Sequence, residues 1–250
     1  GLLYALIRFW PSQRGLEQAD GIRKHQAGPI LRIGGIALYC AFVVGFFFSK
    51  GIAGVSGADS LSWTFLILGS VIFLLGFADD LFGVSAPLRL TVQIGVGIIA
   101  YSCGMQIEIV SNPFGEGGID LGGFALVVTV FWFVALPNLI NLVDGMDGLA
   151  GGVGLFLSLT LSSIGLLPGN HLLLLMGVAM AGGRVAFLIF NLPPAKIYMG
   201  DGGAYLLGYF IAATSLVTSN KGSIFGALLV VVIALGFPIL DTLLAVLRRS

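Results

Sequence analysis

Apolar residues run along this chain in blocks of membrane-span length, separated by short polar breaks. A hydrocarbon core of about 30 Å is crossed by about 20 helical residues, so each such block is a candidate span. The pattern predicts a partial span ending near Trp10 and further spans at about 32–50, 61–78, 89–106, 121–142, 148–168, 171–190, 203–219 and 223–247. We therefore expect an all-α polytopic transmembrane helix bundle of about nine spans, the first of them partial.

One segment has a different periodicity. Residues 106–123 alternate apolar and polar positions around Asn112-Pro113 and Gly115–Gly118. Alternation with a turn signal between its halves is typical of a β-hairpin, so we expect a small hairpin on the outer side of the membrane.

Composition supports a single membrane domain. Hydrophobic residues make up 57% of the chain and charged residues 10%, with a mean hydropathy of +1.04, whereas soluble domains carry about 25% charged residues. No polar block is large enough to fold separately, so residues 1–250 are interpreted as one integral membrane domain. The chain opens at Gly1 within an apolar stretch and ends at Ser250, so we expect a domain truncated at both ends. The formal charge of zero gives no reason to expect nucleic acid as a partner.

The basic residues orient the predicted bundle. Alternating the connecting loops between two sides leaves Lys50 and Lys221 on one side and Arg184 inside or near a span. The other side receives Arg8, Arg14, Arg23, Lys24, Arg32, Arg89, Lys196, Arg248 and Arg249. Because cytoplasmic loops are enriched in Lys and Arg, the richer side is predicted to face the cytoplasm.

The same count brings acidic residues to the cytoplasmic ends of three spans: Asp79-Asp80, Asp144 with Asp147, and Asp201. A single aspartate at a helix end is as often a cap as a functional group. Several acids facing one compartment are harder to explain structurally, and carboxylates together with substrate phosphates suit Mg²⁺. If 141–148 is helical, Asp144 and Asp147 share a face.

Basic residues lie on the same side as these acids. Arg23 and Lys24 belong to a loop before the second span, and Lys196 precedes the glycine-rich run around Asp201. A basic loop beside a span is usually a topology signal or a lipid headgroup contact. Its functional alternative is phosphate binding, which the neighbouring acids and glycines favour.

Four sequence blocks resemble the polyprenyl-phosphate N-acetylhexosamine-1-phosphate transferase family. They are Arg23–Gly35, Gly76–Asp80, Asn138–Gly148 and Asn191–Gly203, in the family's order and on one side of the membrane. His25 lies one place earlier than in the family pattern, and Gly83 stands where peptidoglycan translocases usually have lysine. The resemblance therefore favours the branch that initiates O-antigen, capsule and teichoic acid lipids.

The resemblance implies an enzyme of the bacterial inner (plasma) membrane, with its active site on the cytoplasmic face. It would move a sugar-1-phosphate, usually N-acetylhexosamine-1-phosphate, from a UDP-sugar to undecaprenyl or another polyprenyl phosphate, releasing UMP and initiating a cell-envelope glycan such as lipopolysaccharide. The implied cofactor is Mg²⁺, with Mn²⁺ as the alternative, and the implied assembly includes a homodimer. The resemblance assigns Asp201 and Asp144 to the metal, Asp79, Asp80, Asp144 and Asp147 to catalysis, and Asn141, Asn191, Lys196, Arg23 and Lys24 to substrate binding.

Other classes of protein compete with this interpretation. Intramembrane acids also mark ion paths, so an ion-coupled transporter is the main alternative, although the acids cluster at an interface and no internal repeat is visible. An intramembrane aspartyl protease is a second rival, but Tyr198 stands where its signature before Asp201 requires glycine. A purely structural membrane scaffold would leave the shared side of the acids unexplained.

Overall fold

The computed structural model describes residues 16–17, 30–52, 60–111, 118–144, 148–166 and 171–217. Seven α-helices lie within these ranges, each close to a predicted span. They are α1 (Gly34–Ile52), α2 (Ser60–Phe82), α3 (Ala86–Ser102), α4 (Ala125–Val143), α5 (Leu149–Gly165), α6 (His171–Asn191) and α7 (Gly200–Val217). The predicted spans ending near Trp10 and at 223–247 lie outside the described residues.

The helices have the composition of a membrane bundle. In hydrocarbon a backbone can satisfy its polar groups only internally, which favours uninterrupted helices. By length and hydropathy, α1, α2, α4 and α6 can each cross a membrane, and α5 is apolar but shorter. The helical membrane bundle is thus supported, whereas the predicted total of nine spans is not confirmed, because only four described helices meet both criteria.

Two short strand pairs accompany the helices. Strand β1 (Leu16–Glu17) pairs antiparallel with β2 (Ile30–Leu31), and β3 (Ile109–Ser111) pairs antiparallel with β4 (Gly118–Asp120). The second pair falls in the segment for which a hairpin was expected, but residues 112–117 between its strands lie outside the described part. The location of this pair on the outer side stays a prediction.

Helix α7 forms the centre of the described bundle. Every residue from Gly202 to Ser215 is buried, and α2, α4 and α1 pack against it. A helix that is apolar on all faces is stable only when other elements surround it. The remaining helices bury one face and expose large apolar side chains on the other, as membrane helices do toward lipid.

One end of the bundle is drawn together by the backbone around Gly200. Tyr198 donates to the carbonyl of Leu31 (2.9 Å), and Gly34 and Gly35 donate to the carbonyls of Tyr198 and Met199 (2.9 and 2.8 Å). These bonds hold the start of α1 beside the start of α7.

Close helix packing brings α2 to the same place. A Cβ on Gly76 would lie 2.5 Å from the carbonyl oxygen of Asp201, so only glycine allows this approach of α2 to the first turn of α7. The C-terminal end of α2, which carries Asp79 and Asp80, therefore lies beside the N-terminal end of α7.

Candidate functional site

Asp80 holds the beginning of α7. Its Oδ1 accepts a hydrogen bond from the N–H of Asp201 (2.9 Å) and its Oδ2 from the N–H of Gly202 (3.0 Å). The first N–H groups of a helix have no partner within the helix, and a carboxylate there is favoured by the helix dipole. With its side chain 2% exposed and a guanidinium nitrogen of Arg32 at 3.8 Å, Asp80 fixes α7 relative to α2.

Arg89 lies between the other two carboxylates of the site. It stands in the first turn of α3, and its Nη1 donates to Oδ2 of Asp79 and lies 3.8 Å from Oδ2 of Asp201. Asp79 also accepts the N–H of Val84 at 2.6 Å. The hydroxyl of Tyr205 is 3.5 Å from the same Nη1 atom. One cation thus joins residues from α2, α3 and α7.

The charges of this cluster do not cancel. At formal charge, Asp79, Asp80 and Asp201 count as three negative groups and Arg32 and Arg89 as two positive ones, so carboxylates outnumber cations among these five groups. An anionic substrate would meet repulsion from that excess, and a bound cation would remove it. The balance therefore favours a cation beside any phosphate that Arg89 holds.

A cavity of about 430 Å³ opens beside Arg89, between α3, α4 and α7. Its lining combines polar and apolar residues. The polar residues are Arg89, Gln93, Asn138, Asn141 and Tyr205, and the apolar ones are Ala86, Leu90 and Leu142. Such a lining suits a molecule that joins a polar head to a hydrocarbon chain.

Asn191 connects two loops at the same end of the bundle. Its Oδ1 accepts the N–H of Gly148 (3.0 Å) and its Nδ2 donates to the carbonyl of Ile197 (2.9 Å). The side chain is buried, with 3% of its surface exposed. These bonds give Asn191 a positioning role, so direct contact with a substrate stays a prediction for it.

The other predicted site residues have different outcomes. Asn141 lines the cavity, and Asp144 lies at the C-terminal end of α4 less than one turn further on. Lys196 is exposed in the loop before α7. Asp147, Arg23 and Lys24 lie outside the described residues, so their predicted roles stay predictions.

The described residues hold no cage of metal ligands. Within the described part of the chain, no group of three or more His, Cys, Asp and Glu side chains is arranged to bind a metal. Mg²⁺, however, is usually held by one or two carboxylates together with substrate phosphates and water. Asp201, whose side chain is 19% exposed, fits that pattern. The predicted pairing of Asp201 with Asp144 at one ion is not tested.

Sequence reasoning missed three polar residues of the cavity. Arg89 was used only to orient the chain, Gln93 was averaged into an apolar span, and Asn138 began a family-like block without being given a role. A signal was present, because Gln93 lies four residues after Arg89 and Asn138 three before Asn141, so each pair shares a helix face. Amides inside apolar helices are uncommon enough to mark a polar cavity.

Fold and site together define a helical membrane protein with an acidic and basic cluster at the mouth of an amphiphilic cavity. The sequence profile of glycosyl transferase family 4 matches residues 62–219, which is more than half of the chain. The chain belongs to this family, as its motifs indicated.

Named relatives agree with this assignment. The chain is 35% identical over 219 residues to a probable undecaprenyl-phosphate N-acetylglucosaminyl 1-phosphate transferase of Bacillus subtilis, covering 87% of this chain and 60% of the relative. It is 30% identical over 269 aligned positions to a decaprenyl-phosphate N-acetylglucosaminephosphotransferase of Mycobacterium tuberculosis, covering 98% and 66%. A phospho-N-acetylmuramoyl-pentapeptide-transferase of Listeria innocua is 30% identical over 200 residues, covering 76% and 61%. The chain thus spans about 60% of the length of the first relative.

Proposed function

We propose that the protein transfers N-acetylhexosamine-1-phosphate from a UDP-sugar to a polyprenyl phosphate and releases UMP, thereby initiating a cell-envelope glycan. Family membership supports a sugar-phosphate transferase, and the Bacillus and Mycobacterium relatives are named for polyprenyl phosphate and N-acetylglucosamine. The observation that carries the proposal is Arg89, which lies between Asp79 and Asp201 at the mouth of the amphiphilic cavity.

The reaction exchanges one phosphoanhydride bond for another. An oxygen of the polyprenyl phosphate attacks the phosphorus that bears the sugar, and the bond from that phosphorus to the bridging oxygen breaks. The bridging oxygen leaves as part of UMP, and the lipid keeps the sugar through a new diphosphate. Such a transfer depends mainly on positioning and on neutralising the phosphate charges.

Each residue of the cluster has a role in this proposal. Arg89 binds the acceptor phosphate and lowers the repulsion between it and the carboxylates. Asp79 accepts a proton from the acceptor phosphate when that phosphate arrives protonated. Asp80 keeps α7 in place, and Asn141 and Lys196 bind the donor.

Mg²⁺ would be held by Asp201, with Asp144 as a second ligand, and when bound it neutralises the diphosphate of the donor. Mn²⁺ is the alternative ion. The carboxylates fit this role because they outnumber the cations in the described cluster. For Asp201 to bind the ion in this proposal, Arg89 moves away from Asp201 and toward the acceptor phosphate.

The proposed site faces the cytoplasm of a bacterial inner membrane, where UDP-sugars are available, and a homodimer is the proposed assembly. The transporter alternative is not favoured, since the named relatives are transferases and the acids lie at helix ends. Nothing in the described residues favours a protease or a scaffold.

Radiolabelled sugar transfer tests the proposal. Membranes containing the protein at full length, supplied with UDP-N-acetylglucosamine, undecaprenyl phosphate and Mg²⁺, should form labelled lipid and UMP in equal amounts. Asp201→Asn should abolish the transfer, whereas the matched change Asp120→Asn, at an exposed aspartate of β4, should not. Transfer by Asp201→Asn at the normal rate would refute the metal assignment, and inactive wild-type protein would refute the function.

A further inference from the structure

Gln93 has a hydrogen-bond donor that the described protein does not use. The residue lies in α3 and lines the cavity, and only 1% of its surface is exposed. Its Nε2 has no hydrogen-bond partner among the residues that the structure describes. A buried N–H without a partner is unfavourable, so such a group in a cavity wall indicates a ligand with an acceptor atom.

The orientation of this donor is fixed by its neighbours. Nδ2 of Asn138 donates to the carbonyl of Val134 in its own helix (2.7 Å), which identifies the donor end of the Asn138 amide. The same nitrogen donates to Oε1 of Gln93 (2.7 Å), which identifies the acceptor end of the Gln93 amide. The remaining end of Gln93 is therefore its NH₂ group.

The depth of Gln93 indicates which substrate it meets. It lies four residues beyond Arg89 on α3, about 6 Å further along the helix axis and away from the helix end. Leu90 and Leu142, which also line the cavity, are 47% and 59% exposed in the described part of the chain. These two exposed apolar side chains suit a hydrocarbon chain arriving from the lipid, whereas a water-soluble nucleotide sugar would approach from the helix end.

We propose that Gln93 is a binding residue for the acceptor lipid, whose Nε2 donates to an oxygen of the lipid phosphate while Arg89 neutralises its charge. The inference rests on the proposed function and adds an acceptor-specific contact to it. The diphosphate of the UDP-sugar offers the same acceptor atoms, so the test must separate the two substrates.

Two variants at Gln93 test the proposal. Gln93→Glu, assayed at alkaline pH where the new carboxyl is ionised, keeps an oxygen for Asn138 but replaces the donor with a second oxygen. Gln93→Met removes both groups at similar volume. Each should raise the KM for undecaprenyl phosphate by about tenfold to a hundredfold, the effect of one hydrogen bond to a charged group, and leave the KM for the UDP-sugar within about twofold.

A purely structural role gives different results. If Gln93 only joins α3 to α4, Gln93→Glu would behave like the wild type, because the bond from Asn138 is kept. Equal changes in both KM values, or a fall in melting temperature with unchanged KM values, would also overturn the proposal. Gln106→Met is the matched control. Gln106 lies beyond the other end of α3 and its amide donates to the carbonyl of Tyr101, so the two KM values of this variant should not change.

Binding measurements keep this inference separate from the proposed function. Should the wild-type protein transfer no sugar, the proposed function fails, and binding of undecaprenyl phosphate is measured against undecaprenol. Binding that requires the phosphate and weakens by tenfold or more in Gln93→Met would support the role of Gln93 by itself. Equal binding by both proteins, or equal binding of the phosphate and the alcohol, would overturn it.

Discussion

A matched pair of glycine substitutions tests whether Asp80 holds α7 in place. Gly200 and Gly83 both have positive φ, +74° and +69°. A Cβ on Gly200 would lie 2.6 Å from Oδ2 of Asp80, whereas a Cβ on Gly83 would meet no atom within 4 Å. Gly200→Ala and Gly83→Ala therefore share the backbone strain but differ in the contacts of the added Cβ, which at position 200 meets Asp80 most closely and the carbonyl oxygen of Arg32 at 3.0 Å.

The structure gives the size of the difference. A left-handed conformation costs a non-glycine residue about 1–2 kcal/mol, which both variants carry. In Gly200→Ala the carboxylate of Asp80 must also move away from the N–H groups of Asp201 and Gly202, and each such bond contributes about 1.5–3 kcal/mol. We expect Gly200→Ala to lower the free energy of unfolding by about 3 kcal/mol more than Gly83→Ala, if one to two of these bonds are lost.

Unfolding in mixed detergent micelles measures this difference, and sugar transfer measures its consequence. A displacement of about 1 Å at a reacting group can cost about a hundredfold in rate, so Gly200→Ala should lower kcat by that order while Gly83→Ala keeps most activity. Equal loss of stability in the two variants would refute the reasoning, because the contact with Asp80 would then contribute nothing.

Three further changes test separate parts of the site. Arg89→Lys keeps the charge but loses the guanidinium whose Nη1 faces both Asp79 and Asp201, so we expect about tenfold slower transfer in steady-state kinetics, and an unchanged rate would contradict this role. Asn191→Asp loses the donor to the carbonyl of Ile197 and should lower the free energy of unfolding by about 1–3 kcal/mol; normal stability with a raised KM for the UDP-sugar would instead make it a substrate contact. Removing Mg²⁺ with a chelator should stop transfer until Mg²⁺ is returned, and continued transfer would exclude the ion.

The helices could be predicted because membrane spans depend on local hydropathy. The start of α7 shows the limit of that signal. The predicted span begins at 203, but the helix begins at Gly200, since Asp80 of another helix holds the first N–H groups. A contact between residues 121 positions apart cannot be found from a local pattern.

Part of the site could also be predicted from sequence. Asp79, Asp80 and Asp201 lie together in the structure, as the count of crossings predicted; that this end of the bundle faces the cytoplasm stays a prediction. Their separate roles could not be predicted, because the sequence does not show that the carboxylate of Asp80 accepts the first N–H groups of α7 while Asp79 and Asp201 face Arg89. The roles of Arg89 and Gln93 were missed because they depend on the cavity that α3, α4 and α7 form together, and a local sequence pattern does not show which helices pack around a cavity.

The most direct test of the account is whether the helix ends around the site open to one compartment. Single cysteines are placed at Ser85 and Lys196, which are exposed near the site, with Cys40 and Cys103 replaced by serine. In a separate protein native Cys103, at the opposite end of α3, is kept as the control. A membrane-impermeant maleimide should label positions 85 and 196 only in inverted vesicles, and Cys103 only in right-side-out vesicles. Labelling of positions 85 and 196 from opposite faces would contradict a shared site for lipid phosphate and UDP-sugar.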